Sequence, residues 1–314
     1  MQLKEVIGHE PDIRTYKDGE DIPADSLVGI EVELEAFRGD LGELVYWRME
    51  HDGSLREGGV EFVLRQPLTG FDLEKAINEL YDKVLQNCKY ESNIRTSTHI
   101  HIDVRDISTE HLRRIVFFYA MFERFIYDMV SPEREFSFYC APLFSSVQNR
   151  RRIAESLDSH NFRRCPKYSG LNLKSINNYG SLEFRMHQGM TKETNLRTWI
   201  ALLLKLKTGT KAYEDVPLDH ILRLYSENSA EVLLEQILGF DMFNKTVKNR
   251  YNERLKGSMR SAQDMLLLRR ENTLKQMERQ WYREYNGQKG GDIEGIDPEV
   301  LEILRNRRDE ILNQ

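Results

Sequence analysis

The spacing of apolar and polar residues changes along the chain, and each spacing predicts a different kind of element. In residues 28–37, Val32 and Leu34 alternate with three glutamates, and a period of two is typical of a β-strand with one buried face. Comparable short stretches predict further strands at residues 44–49, 60–64, 98–105, 171–175 and 181–187. Apolar residues three and four positions apart predict helices at residues 71–84, 108–129 and 195–207.

The pattern changes again after about residue 215, where strand signals stop and charged, helix-like patterns continue. A last helix is marked by Asp297 at its N-cap and Pro298 in its first turn. We therefore predict an N-terminal leader or edge segment (1–27), a sheet-based catalytic domain (28–215) and a helical C-terminal extension (216–314).

The first predicted strand places the carboxylates of Glu31, Glu33 and Glu35 on one face. Like charges about 7 Å apart along a strand repel one another unless solvent or a cation neutralises them. A solvated strand face would explain this pattern if the strand stood alone.

Two other strands repeat the arrangement, and a fourth adds one carboxylate, Glu61, between Val60 and Phe62. The ionisable residues that share a face on those two strands are His99, His101 and Asp103, and Glu183, Arg185 and His187. Oxygen-rich sites with an imidazole suit Mg²⁺ or Mn²⁺, and an arginine among them could stabilise a transferring phosphoryl group. We therefore predict a concave sheet face lined by charge that binds a divalent cation.

Charge and composition limit the binding partners and the cellular compartment that the sequence predicts. The net charge of the 314 residues is -6, so nucleic-acid binding is not expected. The start has no apolar signal-peptide core, and the longest apolar run, residues 115–122, is far short of the roughly 20 residues that span a bilayer. Cys88, Cys140 and Cys165 form no CxxC pair, which argues against a disulfide framework or a thiolate zinc site. These features predict a cytoplasmic protein without membrane contact.

Five motifs occur in order along the chain: GIEVELE (29–35), DGS (52–54) leading to EFV (61–63), STHIHID (97–103), YSGLNL (168–173) and SLEFRMHQG (181–189). Together they make residues 28–190 resemble the amidoligases, a branch of the carboxylate–amine ligases related to glutamine synthetase and glutamate–cysteine ligase. The resemblance implies an α+β fold: a curved antiparallel sheet of glutamine synthetase-like type, flanked by helices. It also implies that this sheet surrounds a site for ATP and for Mg²⁺ or Mn²⁺ ions.

Carried over position by position, the resemblance assigns five metal ligands: Glu31, Glu33, Glu61, His99 and Glu183. It implies that Arg185 contacts the ATP phosphates and acts in catalysis, and that His101 lies near those phosphates. Asp52 is the candidate acceptor of the amine proton, and Tyr168 and Asn172 are candidate substrate-binding residues. No segment for glutamate recognition is identified, so the acyl substrate stays open.

The expected activity is ATP- and Mg²⁺-dependent formation of an amide or peptide-like bond through an acyl phosphate. Its substrates would be a small-molecule or peptide carboxylate and an amine, in a microbial or phage setting, and the C-terminal helices could join copies of the chain. Two alternatives remain: a non-catalytic relative used for assembly or binding, and a two-metal phosphoester hydrolase. The resemblance assigns no role to Glu35 or His187, which we expect to be structural or supporting residues.

Overall fold

A computed structural model describes residues 1–10, 17–144, 146–189, 192–227 and 229–239, together with residues 254, 261–263 and 265–266. Within this part, seven strands form one sheet in which each pair of neighbours is antiparallel. The strands are β1 (Val28–Arg38), β2 (Trp47–His51), β3 (Val60–Leu64), β4 (Lys89–Glu91), β5 (Ser97–Asp103), β6 (Leu171–Asn172) and β7 (Ser181–Gln188). Their order is β2-β3-β1-β5-β7-β6, and β4 pairs with the end of β1.

Helices flank the sheet, so the α+β class and the antiparallel sheet are confirmed. The described α-helices are α1 (Leu3–Ile7), α2 (Gly70–Glu79), α3 (Thr109–Tyr127), α4 (Val147–Ser159), α5 (Ser175–Tyr179), α6 (Glu193–Gly209), α7 (Leu218–Glu227) and α8 (Ser229–Leu238). A π-helical turn (Leu80–Leu85) extends α2, and 3-10 turns occupy Pro132–Phe136, Phe138–Cys140 and Thr210–Tyr213. None of these described helices combines the length and the apolar character that a membrane crossing needs.

The core lies between the apolar face of the sheet and the long helix α3. Along β1, Ile30, Val32 and Leu34 are buried. The ring of Tyr119 on α3 lies 6.1 Å from that of Phe184 on β7. Each large apolar side chain removed from water in this way contributes about 1.5–3 kcal/mol, which outweighs the modest helix propensity of the aromatic residues in α3. Packing therefore fixes one face of the sheet and leaves the other for polar side chains.

Most predicted elements are confirmed, and two strands differ for identifiable reasons. The predicted strand 44–49 begins only at Trp47, because the Glu79 carboxylate accepts hydrogen bonds from Val45 N and Tyr46 N at 2.9 and 2.8 Å. The predicted strand 171–175 ends at Asn172, whose Oδ1 accepts from Lys174 N at 3.0 Å and forms a turn. The sequence interpretation missed β4, α1, α4 and α5.

The described residues before β1, 1–10 and 17–27, contact the sheet-bearing part of the chain. Leu3 and Ile22 are fully buried, and Leu3 N donates to Ile107 O at 2.9 Å. Glu74 on α2 accepts from the backbone N–H groups of Asp21 and Ile22 at 2.6 and 3.2 Å. This segment is therefore held by both apolar burial and backbone hydrogen bonds.

Beyond residue 215, α8 returns to the end of α6. A Cβ placed on Gly209 would come within 2.7 Å of Ile237 O, so only glycine permits this approach without a shift. Backbone contacts divide the chain into a unit Met1–Met265 and a unit Leu266–Gln314. The predicted boundary near residue 215 stays a prediction, and the predicted helix at Asp297 lies outside the described residues.

Candidate active site

Strand pairing brings the predicted ligand residues onto one face of the sheet. Glu31 on β1 lies opposite His99 on β5, and Glu33 lies opposite Glu61 on β3. On the other side of β5, His101 lies opposite Glu183 on β7. Side chains of directly opposed residues in an antiparallel pair point to the same face. Four strands therefore contribute to one polar surface.

The five predicted metal ligands meet there in what we call the His99 cluster: Glu31, Glu33, Glu61, His99 and Glu183. Two sets of candidate ligand atoms each lie within 4.8 Å of one another, and His99 belongs to both sets. One contains Glu31 and Glu183, and the other contains Glu33 and Glu61. His99 Nδ1 is 2.9 Å from Glu31 Oε2, and His99 Nε2 is 3.8 Å from Glu33 Oε1. The imidazole thus stands between four carboxylates.

Neighbouring polar groups fix the orientation of these ligands. Ser97 donates to Glu33 Oε2 from both N and Oγ, at 2.8 and 2.6 Å. Ser97 Oγ also lies 2.8 Å from His99 Nε2. On β6, Asn172 Nδ2 donates to Glu183 Oε2 at 2.6 Å, so this predicted substrate-binding residue directly supports a predicted metal ligand. Such supporting contacts hold ligand side chains in place at metal sites.

Two carboxylates of the His99 cluster, Glu61 and Glu31, have pKa values shifted in opposite directions. Burial, together with repulsion from Glu31 and Glu33, raises the pKa of Glu61 to about 8. No hydrogen bond or ion pair joins Glu61 to another side chain in the described ranges. Burial also opposes the ionisation of Glu31, but the neighbouring His101 and His99 imidazoles outweigh it and hold the pKa of Glu31 well below its usual value. The carboxylates outnumber the cationic groups that face them.

Arg185 and His101 border the cluster on the β7 side. Arg185 Nη1 donates to Glu183 Oε1 and lies 3.5 Å from His99 Nδ1. His101 Nε2 is 3.3 Å from Glu31 Oε1, while its Nδ1 lies 2.9 Å from Ser181 Oγ. Burial disfavours a charged His101, but the close Glu31 carboxylate and the Glu183 charge raise its pKa. Both residues lie where an anion over the cluster would meet positive charge.

A β-bulge on β7 corrects one expectation. Thr98 pairs with His187 and Ile100 with Phe184, so Arg185 and Met186 both lie opposite the single residue His99. One extra residue reverses the alternation of faces beyond it. The prediction that His187 shares a face with Glu183 and Arg185 is therefore wrong. The His187 ring lies 5.0 Å from that of Trp199 on α6, and burial lowers its pKa to about 4.

Arg134 holds this bulge, and the sequence interpretation missed it. Its side chain is buried, with 1% of the residue exposed. Its Nη2 donates to Arg185 O at 2.9 Å and its Nε to Met186 O at 3.2 Å, while Nη1 donates to Ile94 O at 3.2 Å. These carbonyls belong to the bulge and to the adjoining loop. The only sequence signal was an isolated arginine after Pro132 in a stretch without helix or strand periodicity.

Glu35 shares strand β1 with Glu31 and Glu33 but lies outside the cluster. Arg95 Nε donates to Glu35 Oε1 at 3.0 Å, and Asn93 Nδ2 donates to Oε2 at 2.6 Å. Arg56 N adds a third donor at 3.0 Å. The hydrogen bond from Arg95 is the largest cause that lowers the pKa of Glu35, to about 2. Glu35 therefore anchors two loops through a fully partnered carboxylate.

Asp52 and Tyr168 lie at opposite margins of the polar surface. Asp52 Oδ1 accepts from Ser54 N at 2.7 Å in the turn after β2, and the charge of Asp52 contributes to the raised pKa of Glu61. Tyr168 is 44% exposed, and Arg185 Cζ lies 5.9 Å from its ring centroid. The rings of Phe138 and Tyr139 each lie 5.9 Å from that of Tyr168. Asp52 thus borders the acidic margin, and Tyr168 borders Arg185.

The fold and the site together define an α+β protein with a charged, ligand-like cluster on the open face of an antiparallel sheet. The sequence profile of a family described as "Putative amidoligase enzyme" matches residues 46–207. The chain belongs to this amidoligase family, which supports the sequence-based assignment and a ligase activity. No curated protein matches the chain. The profile match begins within the chain after Glu31 and Glu33, so it does not cover these two residues, which the geometry places in the cluster.

Proposed function

We propose that the protein is an ATP- and Mg²⁺-dependent carboxylate–amine ligase on a fold of glutamine synthetase-like type. It would form an amide or peptide-like bond through an acyl phosphate, with Mn²⁺ as an alternative ion. The observation that carries the proposal is the convergence of the His99 cluster beside Arg185 in a member of the amidoligase family. Small-molecule or peptide substrates and a cytoplasmic location belong to the same proposal.

The donor atoms of the cluster fit a hard divalent cation. Four carboxylates and one imidazole are ligands that Mg²⁺ and Mn²⁺ accept. Burying several carboxylates beside one another is unfavourable unless positive charge compensates them, and Arg185 pairs with Glu183 alone among the four. A cation bound between Glu33, Glu61 and His99 would relieve the repulsion that raises the pKa of Glu61.

The residues around the cluster suit phosphoryl transfer to a carboxylate. When bound, Mg²⁺–ATP would supply the phosphoryl group and neutralise phosphate charge. The planar guanidinium of Arg185, oriented by Glu183, would stabilise the equatorial oxygens of that group. His101, whose pKa is raised by the neighbouring Glu31 and Glu183 carboxylates, would bind the adjoining phosphate oxygens.

The second half of the reaction needs a proton acceptor and a place for the substrates. Asp52 is the proposed acceptor of the amine proton, because it lies beside Glu61 at the margin of the cluster. Tyr168 lies against Arg185 on the other margin, where its exposed ring would contact a substrate. Asn172 would act through Glu183, whose carboxylate it holds.

The test is an ATP-to-ADP assay with Mg²⁺ and a panel of amino acids, in which hydroxylamine traps the acyl phosphate as a hydroxamate. The proposal predicts ADP formation that depends on the acid and yields the hydroxamate. Hydrolysis of a phosphoester without ATP would favour the two-metal hydrolase. A folded protein that binds neither nucleotide nor Mg²⁺ would favour a non-catalytic relative.

A further inference from the structure

Arg254, in the predicted C-terminal extension, forms ion pairs with two acids that follow α3. Its Nε and Nη2 donate to the two oxygens of Asp128 at 3.1 and 2.6 Å. Its Nη1 and Nη2 donate to the two oxygens of Glu135 at 2.8 and 3.0 Å. Asp128 ends α3, and Glu135 belongs to the 3-10 turn Pro132–Phe136. One guanidinium therefore closes the short loop between the two acids.

The three charged groups are largely shielded from water and depend on one another. The exposed fractions of the Arg254, Asp128 and Glu135 side chains are 12%, 10% and 17%. In the described part of the chain, the one other cation in ion-pair range of either acid is the exposed Arg124, 4.0 Å from Glu135. Removal of Arg254 would leave two shielded carboxylates side by side, and like charges in such surroundings repel one another.

The loop that Arg254 closes is part of a segment, residues 128–140, that holds Arg185 at two points. Arg134 lies between the two acids in sequence, and its Nη2 donates to Arg185 O at 2.9 Å. Near the end of the segment, Tyr139 O accepts a hydrogen bond from Arg185 Nε at 3.5 Å. The backbone and the guanidinium of Arg185 thus both depend on where the 128–140 segment lies.

The middle of the 128–140 segment buries little apolar surface of its own. Phe136 and Phe138 are 85% and 75% exposed. The 3-10 turns that carry them have poorer hydrogen-bond geometry than an α-helix. A segment of this kind shifts easily unless a tertiary contact fixes it. The ion pair between Arg254 and Glu135 is such a contact, and it lies directly before Phe136 in sequence.

We infer that Arg254 is a positioning residue for Arg185, and that the active site is complete only when the C-terminal extension is present. The effect passes from Arg254 through the two acids to the 128–140 segment, and from there to Arg185. The profile match ends at residue 207, so this positioning residue comes from outside the matched part of the chain. Its consequence for turnover rests on the proposed function, in which Arg185 stabilises the transferring phosphoryl group.

Hydrogen–deuterium exchange of the full-length protein tests the positioning role without turnover. In Arg254→Gln we expect at least about tenfold faster amide exchange in residues 128–140 and in β7, with unchanged exchange in β2 and β3 at the far side of the sheet. Arg254→Lys should give an intermediate result, because an ammonium group keeps the charge but lacks the planar fork that contacts both acids. Arg223→Gln is the matched control, because Arg223 pairs with Asp219 on the surface of α7.

A double-mutant cycle tests the link to catalysis. In the hydroxamate assay, Arg254→Gln should lower kcat by about tenfold to a hundredfold with little change in KM, because a small misplacement of Arg185 weakens contacts made in the transition state. In an Arg185→Gln background, the same change should lower kcat by less than about twofold, since there is no guanidinium left to position.

Three results would overturn the inference. Wild-type exchange in residues 128–140 and β7 of Arg254→Gln would show that Arg254 does not fix the segment. Faster exchange throughout the protein, including β2 and β3, would make Arg254 a general stabilising residue. Independent losses of kcat in the double variant would separate Arg254 from Arg185. If the wild type has no ligase activity, the proposed function fails, while the exchange pattern still decides whether Arg254 positions the segment that holds Arg185.

Discussion

Glu33 and Glu35 lie two residues apart on β1 and are both buried, yet their surroundings differ completely. Glu35 has a guanidinium, a side-chain amide and a backbone N–H as donors. Glu33 receives two hydrogen bonds from Ser97 but faces the Glu61 carboxylate across the strand pair. The donors around Glu35 neutralise its buried charge within the protein. The surroundings of Glu33 leave negative charge that a bound cation could neutralise.

The same contrast separates the His99 cluster from two other buried charges in the described part of the chain, Lys207 and Arg134. Lys207 donates to the Asp106 carboxylate, to Ser26 Oγ and to Asp103 O, all within 2.8 Å. Arg134 donates to three carbonyls. A buried ion with a complete set of partners indicates structure, whereas clustered like charges with an incomplete set indicate a binding site.

The largest expected effect is on turnover. Glu33→Gln and His99→Ala should each reduce ATP-dependent amide formation by at least about a thousandfold, because each removes a ligand from the proposed cation site. Circular dichroism and thermal melting would establish that both variants are folded. Glu235→Gln, an exposed glutamate on α8, serves as the control. Wild-type turnover in both cluster variants would remove the site assignment.

Arg134→Leu should lower the free energy of unfolding by about 3 kcal/mol, because buried carbonyls lose their donors. Urea denaturation measures this loss. If Arg134 also positions Arg185 through the bulge, Arg134→Lys should recover most of the stability but less of kcat. Equal recovery of stability and kcat would limit Arg134 to a structural role.

Glu123 shows that a raised pKa alone does not mark a site. Burial raises its pKa to about 7, although Leu143 N and Phe144 N donate to it at 2.5 and 3.1 Å. Because the pKa of Glu123 is higher in the folded state than in the unfolded state, its contribution to the free energy of unfolding is fully present below about pH 4.5. This contribution is lost as the pH rises through 7. The loss should be on the order of 3 kcal/mol.

Urea denaturation between pH 5 and pH 8 would measure this effect as the difference in unfolding free energy between the wild type and Glu123→Gln. We expect the difference to shift against the wild type as pH rises. A difference that does not change with pH would show that Glu123 keeps the same protonation in the folded and unfolded states.

The smallest effects contrast Glu35 with Glu61 directly. Glu35→Gln should destabilise the protein by about 2 kcal/mol, because it weakens hydrogen bonds from a charged partner. Glu61→Gln should stabilise the protein by about 1 kcal/mol in EDTA, because it removes a crowded carboxylate. Added Mg²⁺ should raise the melting temperature of the wild type more than that of Glu61→Gln. If Glu61→Gln destabilised the protein in EDTA, the proposed difference between Glu35 and Glu61 would be wrong.

The alternation of residue types was sufficient to predict the strands that carry the cluster. A buried strand must place every second residue on the apolar side, so Ile30 and Val32 determine where Glu31 and Glu33 point. The charged open face was predicted on this basis, whereas the antiparallel class was implied by the family resemblance. Which residues lie opposite one another follows from strand order and register, which the pattern of residue types does not determine.

Features that depend on tertiary contacts were not predicted. A bulge adds one residue to one strand only, so the alternation in residues 181–187 gave no sign that His187 would turn toward Trp199. Arg134 and Glu79 bind backbone groups that are distant in sequence, and such contacts leave no periodic pattern. The hydrogen bonds of the Glu35 carboxylate with Arg95 and Asn93 likewise depend on the position of the loop between β4 and β5.

The most direct test of the account is to locate Mn²⁺ in crystals of the full-length protein by anomalous scattering. The account predicts a peak within about 2.5 Å of the His99 imidazole and of carboxylate oxygens from Glu33 and Glu61, or from Glu31 and Glu183. The absence of an anomalous peak at saturating Mn²⁺, with the carboxylates still close to His99, would contradict the claim that these side chains form a cation site.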